Sequence, residues 1–283
     1  MEITDESRER VERRFRIVSL YLFVTFCTIV TLMPFAWMIS TSFKPEYMIL
    51  TKHPQLISSG MNTDNYMDLF KKVNFLKHFI NSLMVTFGVT IFSLAVNATA
   101  AYAFAKLHFP KKERLFTLLL VTMMIPTQVT MIPSFLILKY LGFLNSYAGL
   151  IIPGGASVYG IFLLRQFMMT IPNSLLEAAR IDGCGEWTIF WRIVLPLCRP
   201  VLATLTIFTF IGAWNDFFGP LIILLDESKY TLPVALATLN GQHGTEWGLL
   251  MAGSVIVVVP VVLVFLLVQR HYIKGLMVGG VKG

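Results

Sequence analysis

The amino-acid sequence predicts an all-α integral membrane protein with six transmembrane helices. Hydrophobic residues make up 55% of its 283 residues and charged residues only 14%, whereas a soluble domain usually carries about 25% charged residues. The hydrophobic residues fall into six blocks, each long enough for the roughly 20 apolar residues that cross a hydrocarbon layer. Lipid offers the backbone no hydrogen-bond partner, so each block is expected to be helical. The blocks are Ile17–Phe43, His78–Ala105, Leu115–Leu138, Tyr140–Leu164, Val201–Leu225 and Trp247–Gln269.

Each block predicts one membrane-spanning helix. Prolines occur inside several of them, for example Pro126 and Pro133 in the third and Pro260 in the sixth. Because proline removes a backbone donor, each of these positions can kink its helix. The predicted helices cover 17–41, 78–105, 115–138, 147–165, 201–225 and 247–269.

Lys and Arg are distributed unevenly over the predicted connections. Sixteen of the 23 lie in the segments 1–16, 106–114, 165–200 and 270–283, and the other seven lie in the connections on the opposite side. Short loops rich in Lys and Arg stay in the cytoplasm. Both termini are therefore predicted to be cytoplasmic and residues 42–77 external. The net charge of +7 follows from this topology and does not indicate binding to nucleic acid.

The predicted organisation is a first helix, an external segment and a five-helix core between two cytoplasmic tails. The spacing of Cys27, Cys184 and Cys198 indicates neither a disulfide nor a zinc site, and no metal site is expected. In chain order the parts are the N-terminal tail 1–16, the first helix 17–41, the external segment 42–77, the core 78–269 with its internal loop 165–200, and the C-terminal tail 270–283.

The internal loop 165–200 predicts two amphipathic helices joined by a tight turn. Ser174 and Glu177 have the S-x-x-E spacing of a capping box, so the first helix is expected to begin there. Asp182-Gly183 is expected to end it, because glycine adopts the positive φ that closes a helix. This helix–turn–helix is expected to lie on the membrane face. The second helix carries an apolar stripe at helical spacing: Trp187, Phe190, Trp191, Val194 and Leu195.

The same loop resembles the EAA loop of binding-protein-dependent ABC importer permeases. Cys184 stands where the family usually has alanine, and both residues are small. Two further stretches, Trp214-Asn215-Asp216 and the tail from Gln269 to Gly283, resemble the maltose-type second permease of the carbohydrate branch. The resemblance covers about residues 70–283. The residues similar to the EAA motif are Glu177-Ala178-Ala179-Arg180-Ile181-Asp182-Gly183, then Ile193, Leu195-Pro196 and Pro200.

The resemblance implies the type I ABC importer permease fold and a role in ATP-driven import of a sugar or related carbohydrate. In such importers a second homologous permease completes the pore in the lipid bilayer. Two ATPase subunits dock on the EAA loops, and an external solute-binding protein delivers the carbohydrate substrate. The implied ATPase contacts are Glu177, Ala178, Ala179, Asp182 and Gly183 in the loop, and Gly275, Gly279 and Gly280 in the C-terminal tail.

The sequence itself agrees with ATP hydrolysis by a separate subunit. The chain contains no G-x-x-x-x-G-K-[ST] loop that would cradle the phosphates of ATP. We therefore expect a non-catalytic subunit of the cell membrane that binds no cofactor. ATP and Mg²⁺ are expected in the partner ATPase subunits.

Asp216 is the one acidic residue predicted at membrane depth, where a charge costs about 2.5–3.5 kcal/mol and usually faces a cavity or a partner. Trp214, Asn215 and Asp216 are therefore candidates for the substrate pathway. The alternatives are packing between subunits or a position near the external interface. Asn81, Asn97 and Gln128 are expected to be hydrogen-bond partners between helices, with a role in the substrate pathway as the alternative. A secondary transporter or channel acting without ATP is the alternative function, although a single intramembrane acid gives it little support.

Overall fold

The protein is described by a computed structural model that covers residues 5–51, 55–58, 60–72, 74–241 and 244–280. Within these residues the chain is helical apart from turns and one short hairpin. The prediction of an all-α membrane protein is confirmed. The last three residues of the predicted C-terminal tail lie outside the described residues.

The described chain forms fifteen α-helices. A π-helix, Phe190–Val194, lies between α10 and α11, and a 3₁₀ turn, Glu227–Lys229, precedes α14. Strand β1 (Asn240–Gly241) pairs antiparallel with β2 (Gly244–Thr245). The helices are α1 (Asp5–Ser42), α2 (Glu46–Ile49), α3 (Asp64–Lys72), α4 (Phe75–Lys106), α5 (Lys112–Thr122), α6 (Thr127–Tyr140), α7 (Ala148–Gly155), α8 (Val158–Met169), α9 (Asn173–Ile181), α10 (Glu186–Ile189), α11 (Leu195–Leu197), α12 (Arg199–Trp214), α13 (Phe218–Ile223), α14 (Leu232–Ala237) and α15 (Trp247–Gly280).

The chain divides into two compact units. The first contains Met1–Lys72 and Leu239–Ile256, and the second contains Val73–Thr238 and Val257–Gly283. The predicted separation of the first helix and the external segment from a five-helix core differs from this division, because the start of the sixth helix belongs to the first unit.

Two polar side chains organise the first unit. The Glu46 carboxylate accepts hydrogen bonds of 3.0 Å from the backbone N–H groups of the first two residues of α15. It thereby caps donors that have no partner within the helix. Asn65 Nδ2 donates to the carbonyl oxygens of Ser42 and Lys44 at 2.9 and 2.8 Å. A Cβ at Gly248 would lie 2.6 Å from Asn65 Nδ2, so this approach requires glycine.

Helix α4 is the centre of the second unit. Helices α7, α8 and α12 pack along it, and alanines in its second half, Ala98 and Ala101, allow close contact with buried Leu164 and Leu205. The same core cluster contains Phe190 of the internal loop. The loop and the membrane helices therefore share one continuous apolar core.

Polar side chains of α4 bind the breaks in the neighbouring chain. Asn81 Nδ2 donates to the carbonyl oxygens of Ser228 and Tyr230 at 3.1 and 3.0 Å. Asn97 Oδ1 accepts a 3.1 Å hydrogen bond from the backbone N–H of Ser157, between α7 and α8. Both asparagines are hydrogen-bond partners within the protein, as the sequence predicts, but they bind the breaks between helices instead of a neighbouring helix.

Four segments of the described chain are long and apolar enough to cross a membrane, and six are reached if each of two sharply bent helix pairs is one span. The bends are 103° between α5 and α6 and 79° between the α10–α11 segment and α12. The four segments are Glu12–Ser42, Phe75–Lys106, Ala148–Met169 and Trp247–Leu267. The described residues therefore contain four to six candidate spans, and six spans agree with the prediction if each bent pair crosses once.

Several predicted helix boundaries were wrong. The third helix, predicted as continuous, breaks before Thr127, because Pro126 has an extended backbone with ψ of 135°. The predicted fifth helix ends at Trp214, and a separate short helix begins at Phe218. The first and last helices run beyond the apolar blocks, from Asp5 and to Gly280. Charged residues end the apolar pattern there without ending the backbone hydrogen bonding of the helix.

We predict that Glu46→Ala lowers the thermal stability of the purified chain. The substitution removes both acceptors at the N-terminus of α15, and loss of a helix cap costs about 0.5–2 kcal/mol. Thermal unfolding in detergent, followed by tryptophan fluorescence, measures the change. Glu12→Ala, at an exposed position of α1, is the matched control and should unfold as the unsubstituted chain does. Equal midpoints for the two variants would contradict the capping role.

Candidate functional site

The first helix of the internal loop, α9, begins two residues earlier than the capping box requires. Pro172 has the extended backbone of the residue that precedes a helix (φ −58°, ψ 134°), and Asn173 is the first helical residue. Ser174 therefore lies inside the first turn, where it cannot serve as the N-cap. The predicted capping box of Ser174 and Glu177 was wrong. Glu177 is an exposed side chain of the following turn.

The end of α9 agrees with the prediction. Gly183 has φ of +82°. Its N–H donates to the carbonyl oxygen of Arg180 at 3.0 Å, and the N–H of Cys184 donates to that of Ala179 at 2.9 Å. This pair of hydrogen bonds is a Schellman motif, which satisfies carbonyl groups left free at a helix end. The turn between the two loop helices therefore has a single defined geometry.

The second half of the loop is only partly the stripe that the sequence predicts. Phe190 and Val194 are buried, at 1% and 0% exposure, together with Ile189 at 0%. Trp187 and Trp191 are 65% and 57% exposed. The π-helix over residues 190–194 changes the spacing on which the predicted stripe depended. The two tryptophans are thus available to a partner surface.

Polar groups that the sequence did not single out connect this loop to α4. The Tyr102 hydroxyl donates to Glu186 Oε2 at 2.6 Å, and Arg180 Nε donates to Glu186 Oε1 at 2.7 Å. This second hydrogen bond raises the pKa of Arg180 above its usual value. Lys106 Nζ donates to the carbonyl oxygen of Ile171 at 2.6 Å and to Asn173 Oδ1 at 2.9 Å.

Only one of the loop residues predicted to contact an ATPase is buried. Ala179 faces the core with 6% exposure, where it packs α9 in place. The other predicted contacts of the loop, Glu177, Ala178, Asp182 and Gly183, are exposed. Gly275, Gly279 and Gly280, predicted as tail contacts, lie in the last turns of α15.

The three predicted pathway residues occupy different environments. Trp214 is 1% exposed, and its indole Nε1 donates to the carbonyl oxygen of Val257 at 3.0 Å. Asn215 is exposed and its Nδ2 donates back to the carbonyl oxygen of Ile211 at 3.0 Å. Asp216 follows at the break between α12 and α13. Trp214 therefore joins two helices, whereas Asp216 is the member that faces open space.

Asp216 lines two cavities of the second unit. The first has a volume of about 350 Å³ and is also lined by Ser93, Ser157 and Tyr159. The second has a volume of about 380 Å³ and is also lined by Gln128. Ligand pockets usually measure about 300–1,000 Å³, so either cavity has room for a small polar ligand. No group of three potential metal ligands occurs among the described residues.

The long apolar helices, with the cavities that lie between them, are those of a multi-pass membrane protein. Residues 97–277 match the family described as "Binding-protein-dependent transport system inner membrane component". The chain belongs to this family. The matched range includes the internal loop, the break between α7 and α8, the break between α12 and α13, and most of α15.

Several proteins to which this chain is similar are permease subunits. The arabinooligosaccharides transport system permease protein AraQ of Halalkalibacterium halodurans is 35% identical over 91% of this chain and 94% of its own length. The sn-glycerol-3-phosphate transport system permease protein UgpE of Yersinia pestis is 39% identical over 70% of this chain and 71% of its own length. A chain of a bacterial ABC transporter that imports the acidic polysaccharide alginate superposes with a TM-score of 0.81 at 26% identity, covering 93% of this chain and 98% of that one.

These relatives confirm several predictions made from the sequence. The chain is a non-catalytic permease subunit of a binding-protein-dependent ABC importer and a multi-pass membrane protein. The type I importer permease fold is confirmed by the superposition on the alginate importer. Nothing in the comparisons supports a secondary transporter or channel that acts without ATP.

We predict that Gly183→Ala destabilises the loop, whereas Gly185→Ala does not. A Cβ meets no atom within 4 Å at either position, so space does not distinguish them. Gly183 has φ of +82° and Gly185 has φ of −73°. A left-handed backbone costs a residue with a side chain roughly 1–2 kcal/mol. Thermal unfolding in detergent measures the difference, and Gly183→Asn should restore part of the loss. Equal stability of both alanine variants would refute the argument.

Proposed function

We propose that this chain is one of two permease subunits in an importer that takes up a carbohydrate delivered by an external solute-binding protein. Two ATPase subunits supply the energy, and ATP and Mg²⁺ bind to them. The observation that carries the proposal is the internal loop, whose buried face is part of the permease core while its other face is exposed. A loop that is packed into the core on one face and exposed on the other can serve as a docking surface for an ATPase subunit.

The exposed face of the loop combines charge with apolar area. Glu177 and Asp182 offer carboxylates to basic side chains of an ATPase. Ile181, 86% exposed, and the two exposed tryptophans offer the apolar centre that stable interfaces need. The glycines at the end of α15 are proposed to lie near the same ATPase subunits. Docking of cytoplasmic ATPase subunits requires that the loop lies on the cytoplasmic side of the membrane. The distribution of Lys and Arg predicts this side for the loop and for both termini.

The substrate pathway is proposed to pass Asp216. Its carboxylate accepts backbone hydrogen bonds from Phe218 and from Gly219, the latter at 3.2 Å to Oδ1, and its remaining lone pairs can accept a hydroxyl of a sugar. A fixed negative charge favours a neutral, hydroxyl-rich ligand over an acidic one. Among the relatives, the arabinooligosaccharide permease fits this chemistry better than those named for glycerol phosphate or alginate. We therefore propose a neutral oligosaccharide as the substrate class.

We predict that Glu177→Gln and Glu177→Ala weaken binding of the ATPase to the same extent. Because Glu177 has no role in capping α9, only its charge contact is lost, and an unpaired buried charge on the partner costs about 2–5 kcal/mol. Co-purification of ATPase subunits with the tagged permease is the measurement. Glu227→Gln, exposed in the 3₁₀ turn, is the matched control. Retention of the ATPase by both Glu177 variants at the level of the control would contradict this docking surface.

We predict that Asp216→Asn lowers uptake of neutral oligosaccharides while ATPase subunits remain bound. A hydrogen bond to a charged acceptor contributes about 1 kcal/mol more than one to a neutral acceptor, which corresponds to a loss of roughly fivefold. Uptake into proteoliposomes, with a panel that includes arabino-oligosaccharides, measures the effect. Asp226→Asn, outside both cavities, should transport normally. Unchanged uptake in the Asp216 variant would remove this residue from the pathway.

A further inference from the structure

Two polar residues near the end of α4 hold both helices of the internal loop. Tyr102 and Lys106 are four residues apart, so they lie on the same face of α4. Tyr102 binds Glu186, the first residue of α10, and Lys106 binds Asn173, the first residue of α9. Each loop helix is therefore tied at its N-terminus to the same turn of one membrane-spanning helix. We call Tyr102 and Lys106 the α4 anchor.

The Tyr102 contact is more than packing. Its ring lies 5.2 Å from that of Phe190, which already buries the aromatic body. The hydroxyl in addition donates to a carboxylate, and hydrogen bonds to charged acceptors are the stronger class. Through Glu186 the contact continues to Arg180 on α9. One carboxylate thus joins α4, α9 and α10.

The Lys106 contact is unusual because the ammonium group is buried. Lys106 is 7% exposed, and its two acceptors are a backbone carbonyl and an amide oxygen rather than a carboxylate. Desolvating a lysine is costly unless its donors are satisfied. Both acceptors lie at the connection from α8 to α9. If that connection moved relative to α4, the Lys106 ammonium group would lose its acceptors. The α8–α9 connection and α4 are therefore constrained to move together.

We propose that the α4 anchor transmits movement of the internal loop to the cavity within the membrane. Tyr102 and Lys106 are positioning residues that act through α4, and they contact neither ATP nor substrate. The inference rests on the proposed docking of an ATPase to this loop. The route is physical, because α4 also contributes Val85, Val89 and Ser93 to the wall of the first cavity.

The far part of α4 is tied as tightly as the anchor. Asn97 holds Ser157, which lines the same cavity, and Asn81 holds the segment before α14. A shift of α4 therefore carries the break between α7 and α8 with it. If the α4 anchor is removed, we expect the ATPase to stay bound to the internal loop. Movement of the loop is then expected to leave the first cavity unchanged.

The test uses the complete importer, with its ATPase and solute-binding protein, in lipid nanodiscs. A single cysteine at Thr209, which lines the first cavity, is placed in a chain lacking Cys27, Cys184 and Cys198. The rate of its reaction with a maleimide is measured without nucleotide and with ATP and vanadate. In the parent chain we expect the two rates to differ at least fivefold. With Tyr102→Phe, which keeps the ring and removes only the hydroxyl, we expect a difference below twofold.

Further variants make the test specific. Glu186→Ala removes the same hydrogen bond from the other side and should reproduce the effect even if Tyr102→Phe is poorly produced. Tyr21→Phe, on an exposed part of α1, is the matched control and should behave as the parent. A merely structural role of Tyr102 would lower the unfolding temperature and leave the nucleotide-dependent change in place.

The outcomes separate this inference from the proposed function. Support requires that Tyr102→Phe retains the ATPase subunits and their ATP hydrolysis but loses the change in cysteine reactivity. The inference is overturned if the change persists at the parent level, if the variant releases the ATPase, or if the parent itself shows no change. Docking is tested independently, because loss of ATPase from Glu177→Gln with normal behaviour of Tyr102→Phe would support the docking surface alone.

Discussion

The hydrogen bonds made by α4 along its length are the constraint on which the rest of this structure depends. A polar side chain in a membrane interior is unfavourable unless it has a partner. Asn81, Asn97 and Lys106 meet this requirement by binding groups of three separate chain breaks. These breaks are in turn where backbone donors and acceptors lack helical partners. The helix and these three breaks therefore satisfy each other's hydrogen-bonding groups.

The internal loop shows how a short segment can be both rigid and available. Its rigidity comes from the Schellman turn at Gly183 and from the buried residues beneath it, among them Phe190 and Val194. Its availability comes from the side chains on the other side, with Trp187 and Trp191 outside the core. Salt bridges at exposed positions contribute little by themselves. The Arg180–Glu186 pair matters because Tyr102 extends it into the buried part of the unit.

Local rules predicted much of this architecture from the sequence, and the failures have physical causes. Long apolar blocks identified the membrane helices, and the requirement of a positive φ identified the turn at Gly183. The capping box failed because S-x-x-E spacing does not specify where a helix begins once Pro172 precedes it. The π-helix over Phe190–Val194 has no period that a 3.6-residue pattern can detect. Partners distant in sequence, such as Tyr102 and Glu186, leave no local pattern at all.

Two helices, α12 and α4, connect the internal loop to the cavities, and they differ in how directly a movement of the loop can pass along them. The direct route runs along α12 to Asp216, but Trp214 near the end of that helix is tied to α15 through Val257 and stacks on Phe210 at 6.0 Å. The second route runs through α4, which is bonded to the loop at one end and forms a cavity wall further along. The loop meets α12 across the 79° break between α11 and α12, whereas α4 is one continuous helix. An unbroken helix transfers displacement without absorbing it at a bend, so α4 is the element through which the proposed docking of an ATPase on the loop would act on the first cavity.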